Sequence, residues 1–203
     1  MKKVLYTTII LLIINVLLTS CTVDRSIAQR ISEFESTNGD ENPCYVQKND
    51  GTIVYYTTLK LMTGIFKSPY LLADDNIRIK ADEIKAYQDI DHYFVSQKVI
   101  TSGKHSAVAQ ESLPGFAVRL VKGRVNVYCK KFYNGERAVK QYYLQSGDDG
   151  EIKLYTPELM TELLKNDQAA LDVFNDKNNA KNIADRLLAT VKQFNTDQLV
   201  TKN

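Results

Sequence analysis

Between residues 116 and 155 the chain turns back on itself three times, and no other stretch narrows the fold so far. Strand-forming runs at 116–121, 124–132, 137–144 and 151–155 are separated by Lys122-Gly123, Asn134-Gly135 and Gly147-Asp148-Asp149-Gly150. Gly sits at or next to each corner, where its tolerance of positive φ suits tight hairpin turns. The spacing predicts an antiparallel meander. Along 124–132, Val125, Val127 and Cys129 share a core-facing side, and Asn126, Tyr128 and Lys130 take the other.

At Thr156 the period of the apolar residues changes from 2 to 3.6. Thr156 is a natural N-cap with Pro157 at the first helical position, and Leu159, Met160, Leu163 and Leu164 form the stripe behind it. Asp167 caps a second short helix with Ala170, Val173 and Phe174 inward. After a polar break at 175–179, a third helix over 180–194 presents Ile183, Leu187, Leu188, Val191 and Phe194. Helices with one apolar face need a surface to lie on, and the sheet supplies it. The expected fold class is α+β: a mostly antiparallel sheet built from hairpins, then two or three C-terminal helices packed on it.

Upstream, 44–48, Asn49-Asp50-Gly51 and 52–62 read as a hairpin, with Ile53, Tyr55, Leu59 and Leu61 on one face of its second strand. Residues 63–75, with Gly64, Pro69 and Asp74-Asp75, read as irregular. Shorter strands follow at 77–79, 84–88 and 92–96, the last two joined by a turn at Asp89-Ile90-Asp91. Residues 98–114 show no periodicity and are expected to form a long loop carrying His105.

The first 21 residues have a different character. Lys2 and Lys3 precede a fifteen-residue apolar stretch, 4–18, and Leu18-Thr19-Ser20-Cys21 closes it. A bilayer span needs about 20 apolar residues, so this stretch fits the core of a secretory signal better than an anchor. The order of its parts resembles the signal and lipobox of bacterial lipoproteins. That resemblance implies cleavage between Ser20 and Cys21, a diacylglyceryl thioether on Cys21 and acylation of the new amino group. Acyl chains contribute roughly 0.8 kcal/mol per buried CH₂, so two or three make a firm anchor where one is marginal. The implied organisation is a removed signal at 1–20, a lipidated tether at 21–42 and one α+β domain at 43–203, β-rich over 43–155 and helical over 156–195. Within the tether Ile27, Ile31 and Phe34 fall at helical spacing behind Ser26, which leaves a docking helix and a disordered linker both open.

Taking away residues 1–20 leaves 24 Lys and Arg against 24 Asp and Glu. A neutral chain without a basic stripe has no nucleic-acid footprint. Two cysteines follow Cys21. Cys44 and Cys129 either pair, as an exporting compartment permits, or lie separately buried as small hydrophobes.

Motifs that carry chemistry are scarce. The two histidines, His92 and His105, have no metal-ligand spacing with each other or with the cysteines. No G-x-S-x-G elbow, S-x-x-K, phosphate-binding glycine loop or calcium loop occurs, and Gly147-Asp148-Asp149-Gly150 reads as a turn. No metal and no cofactor beyond the lipid on Cys21 is expected. Tyr is abundant, with pairs at Tyr55-Tyr56 and Tyr142-Tyr143, but it is a favoured strand residue and no Trp accompanies it as in a typical sugar-stacking platform.

The meander followed by Tyr155-Thr156-Pro157-Glu158-Leu159 and a helix ending Phe194-Asn195 resembles uncharacterised exported proteins of Bacteroidota-type bacteria, which implies no activity. The expectation is a membrane-tethered envelope lipoprotein, on the periplasmic side of the outer membrane by that resemblance. Its domain is expected to be a non-enzymatic binding or accessory module for an envelope protein or small ligand. The alternative is an envelope hydrolase with a site assembled from scattered acids or around His105. A deep pocket near His105 or Asp74-Asp75 separates the hydrolase from a binding module, which would present a tyrosine-lined sheet face instead.

Overall fold

Eleven strands make two antiparallel sheets in the computed structural model, which describes residues 44–64, 67–102, 111–176 and 182–196. The larger sheet holds β1 (Cys44–Lys48), β2 (Ile53–Tyr56), β6 (Ile84–Gln88), β7 (Tyr93–Ser96), β8 (Phe116–Val121), β9 (Val125–Tyr133), β10 (Ala138–Ser146) and β11 (Lys153–Leu154), in the order β11-β10-β9-β8-β7-β6-β1-β2. The smaller is β3 (Leu59–Gly64), β4 (Lys67–Ala73) and β5 (Ile77–Lys80). A single helical turn, α1 (Lys98–Thr101), follows β7, and α2 (Pro157–Leu164), α3 (Gln168–Asn175) and α4 (Ile183–Thr196) end the described chain. The fold is α+β. The expected signal at 1–20 and tether at 21–42 lie outside the described residues.

One face of the large sheet carries most of the core. Near β1, β6 and β7 its Val46, Tyr87 and Phe94 meet Leu59, Leu71 and Ile79 of the small sheet, and the Tyr87 and Phe94 rings stack 4.4 Å apart. Further along, Val127 and Leu144 receive Met160, Leu164, Leu187 and Val191 from the helices. Each such side chain contributes roughly 1.5–3 kcal/mol on full burial. That packing decides the fate of α2 and α3, whose eight residues each are too few for helices stable on their own.

Their starts are fixed locally. The Leu159 N–H donates to Thr156 Oγ1 at 3.2 Å and the Ala170 N–H to Asp167 Oδ1 at 3.0 Å. Asn182 caps α4, its Oδ1 accepting from the Asp185 N–H, while its amide donates to the Asp185 carboxylate.

Several expectations change. The strand expected over 52–62 breaks at Thr57-Thr58, and its halves join different sheets. Both N–H groups at the break donate to Asp74 Oδ1 at 2.9 Å, so one carboxylate satisfies the corner. The stretch 63–75 is not irregular: it contains β4, the centre of the small sheet. Pro69 is tolerated there because it lies past the last β5 partner of β4 and beside the bulge in the β3–β4 register. Asp74 and Asp75 then form the hairpin corner to β5, with φ of 47° and 60°.

The third change concerns β9, where Val125 to Lys130 are buried on both faces rather than one. The second face is covered by Ile100 and Ile152, packed with Ala117, Tyr128 and Tyr143. Of the two alternatives left open for Cys44 and Cys129 the structure shows the second: both are free and buried. They sit on β1 and β9, four strand steps apart, which at ~4.8 Å per step exceeds the reach of a disulfide by a wide margin.

Candidate binding face

Cross-strand pairing runs a single row of side chains over the other face of the large sheet. Tyr55 pairs with Tyr45, Tyr45 with Gln88, and Gln88 with Tyr93. Tyr93 and Arg119 share this face because their neighbours Phe94 and Val118 pair on the opposite one. Arg119 then pairs with Tyr128, and Tyr128 with Tyr143. Directly paired residues point to the same side of a sheet. Five tyrosines and one arginine are thereby aligned from β2 to β10.

The row has two halves. Tyr128 and Tyr143 lie under α1 and Ile152, almost without exposure. Beside them Asn126 and Gln145 hold the 147–150 turn against the sheet: the Asn126 amide donates to Gly147 O and Asp148 Oδ1, and the Gln145 amide to Asp148 O and Gly150 O. The Tyr128 hydroxyl donates to Gln145 Oε1 at 2.6 Å. This half is framework.

The half on β2, β1, β6, β7 and β8 faces outward. Tyr55 is 62% exposed, and Tyr45, Gln88, Tyr93 and Arg119 are half-buried. The Tyr45 and Tyr55 rings meet at 5.9 Å and 59°. The Arg119 guanidinium lies over the Tyr93 ring, 4.3 Å from its centroid, while its Nε is buried without a hydrogen-bond partner. Burial pushes the Tyr45 and Tyr93 phenols up from the usual range, and the Arg119 charge pulls both the other way. Both stay protonated at neutral pH and present hydroxyls that donate and accept.

The residues expected to matter are scattered. Ser20, Cys21 and His105 lie outside the described residues. Cys129 is buried, and desolvation pushes its thiol up to about 11, so it holds no thiolate at neutral pH. Asp74 holds the β2–β3 corner and Asp75 pairs with Lys60 at 2.8 Å. His92 sits 3.9 Å from Asp89, whose carboxylate accepts the Asp91 and His92 N–H groups and ties the β6–β7 turn. Among the described residues no three His, Cys, Asp or Glu side chains gather as a metal group would require, and no helix is long and apolar enough to cross a membrane. A cleft of about 150 Å³ between α2 and the β10–β11 edge, lined by Leu159, Glu162 and Lys153 among others, is small beside ordinary ligand sites.

Of the two tyrosine pairs singled out in the sequence, only Tyr55 joins the outward row; Tyr56 and Tyr142 turn to the packed face and Tyr143 is buried. Tyr45, Tyr93 and Arg119 were not legible as site residues, because the alignment across strands exists only once the register is set. No family model matches the chain, and no curated protein or solved structure matches it either.

Proposed function

We propose that this chain is a lipid-tethered protein of the bacterial cell envelope whose α+β domain is a non-enzymatic binding or accessory module. Its membrane attachment is the acylated Cys21, and its partner is an envelope protein or a small ligand rather than nucleic acid. The observation that carries the reading is the run Lys2-Lys3, fifteen apolar residues and Leu18-Thr19-Ser20-Cys21, whose order suits lipoprotein export. Two further features support it. Asp74 and Asp89 are engaged at turns and Asp75 in an ion pair with Lys60, and the tyrosine-lined sheet face offers amphipathic contact area. The periplasmic side of the outer membrane is the proposed location: Thr22 follows Cys21 and 22–26 holds a single acid.

Metabolic labelling with an alkyne fatty acid tests it. Wild-type protein takes up the label and fractionates with membranes, and Cys21→Ala does neither. Equal labelling of the variant would remove the anchor and the reading with it.

A further inference from the structure

The outward half of the row carries one full charge, Arg119, that is in no ion pair among the described residues. Its buried Nε has no partner. Asp148 acts on Tyr93 and Tyr128 through space, but its Oδ1 is taken by the Asn126 amide. The guanidinium is hydrogen-bonded to Tyr128 and stacked on Tyr93 but is ion-paired to no carboxylate, which leaves it able to take an anion from outside.

The shape of the strip limits what carries that anion. From Tyr55 on β2 to Arg119 on β8 there are four strand steps, or ~19 Å at ~4.8 Å each, in a line perpendicular to the strands. The main-chain groups beneath are already paired with neighbouring strands, so an extended peptide finds no ladder to join across this face. The strip offers the Tyr55 and Tyr45 rings with their hydroxyls, the Gln88 amide, and the Tyr93 hydroxyl beside the guanidinium that lies over its ring. A complementary ligand is elongated, with flat C–H faces to stack on rings and hydroxyls to meet the tips. A chain of sugar rings has that chemistry, and a carboxylate on one of them answers Arg119.

We infer that Tyr55, Tyr45, Gln88, Tyr93 and Arg119 form a binding strip for an acidic polysaccharide, a uronate-containing glycan lying across the strands with its carboxylate on Arg119. Tyr55 and Tyr45 share the stacking that a Trp platform would concentrate. The inference rests on the binding-module reading and names its ligand class; it does not depend on the lipid.

The test is calorimetric titration of the full chain, purified in detergent, with a β-linked oligouronate and with its carboxyl-reduced, neutral counterpart. The oligouronate binds, and the neutral chain binds about ten-fold or more weaker, as expected for loss of a hydrogen-bonded charge pair. Arg119→Gln loses that same factor toward the oligouronate and little toward the neutral chain. Tyr55→Ala, at a site 62% exposed, weakens both alike. Unchanged urea midpoints for the two variants establish that they fold, and Arg119→Met, which also removes the charge, serves if Arg119→Gln does not. Equal affinity for the two glycans overturns the inference. So does indifference to Arg119, or failure of the wild type to bind either glycan. Fatty-acid labelling at Cys21 stays positive in all of those cases, so this failure is distinct from failure of the tethering.

Discussion

The Asn195 side chain near the end of α4 pairs with the main chain of Val125 at the start of β9 as a strand would. Its Oδ1 accepts from the Val125 N–H at 3.1 Å and its Nδ2 donates to the Val125 carbonyl at 3.2 Å. Arg124 reinforces the join, with its guanidinium 3.9 Å from the centre of the Phe194 ring and Nη1 donating to Phe194 O. The β8–β9 hairpin is thus clamped to a helix seventy residues later.

Asn195→Ala leaves both Val125 groups without this partner and is expected to cost about 1–3 kcal/mol. Gly123→Ala is expected to cost a similar amount for a linked reason, since a Cβ there would run into the Asn195 amide. In an Asn195→Ala background the obstacle is gone, so the second substitution costs clearly less than it does alone. Urea unfolding of both single variants and the double variant measures the coupling, and simple additivity would contradict the clamp.

The thiols give a second prediction. Cys44 and Cys129 are buried and unpaired, and burial raises both thiols above their usual range. Native protein at neutral pH is expected to react slowly with iodoacetamide at both positions and fully at both once unfolded in urea without reductant. Mass spectrometry reads the count. Failure of either thiol to react after unfolding would indicate a disulfide and a different strand order.

The carboxylate of Asp89 sets a pH dependence. Desolvation raises it above the usual carboxylate range, against the opposing effect of the His92 and Asp91 N–H groups. A carboxyl raised on folding holds its proton longer in the folded state. Its contribution therefore favours folding below the unfolded value near 3.8 and diminishes as pH rises through the folded one. Asp89→Asn keeps an acceptor for both N–H groups and removes the titration. Relative to wild type, the variant is expected to gain stability between about pH 3 and pH 7. Urea midpoints at the two ends check it; a variant that loses ground with rising pH would show the bound N–H groups outweighing burial.

How much of this was open to sequence reading depends on how local its cause is. The turns at Gly123, Gly135 and Gly147 and the caps Thr156 and Asp167 act within three or four residues, and the meander and helix starts fall where those residues place them. The break at Thr57-Thr58 has its cause in Asp74, sixteen residues on, while the alternation of Ile53, Tyr55, Leu59 and Leu61 continues straight through it. The polar side of β9 pointed to solvent on pattern alone. Asn126 and Lys130 are buried because α1 and the 147–152 segment fold over them, with Asn126 bonded to the turn and the Lys130 ammonium donating to Ile100 O. The proposed binding strip is the least local feature: its residues come from five strands, and none is unusual on its own.

The most direct test of the tethered account is the mass of the N-terminal peptide of the protein recovered from membranes. The account predicts a chain that begins at Cys21 and carries a diacylglyceryl group on its sulfur. A chain that still begins at Met1, or one with an unmodified Cys21, would contradict it.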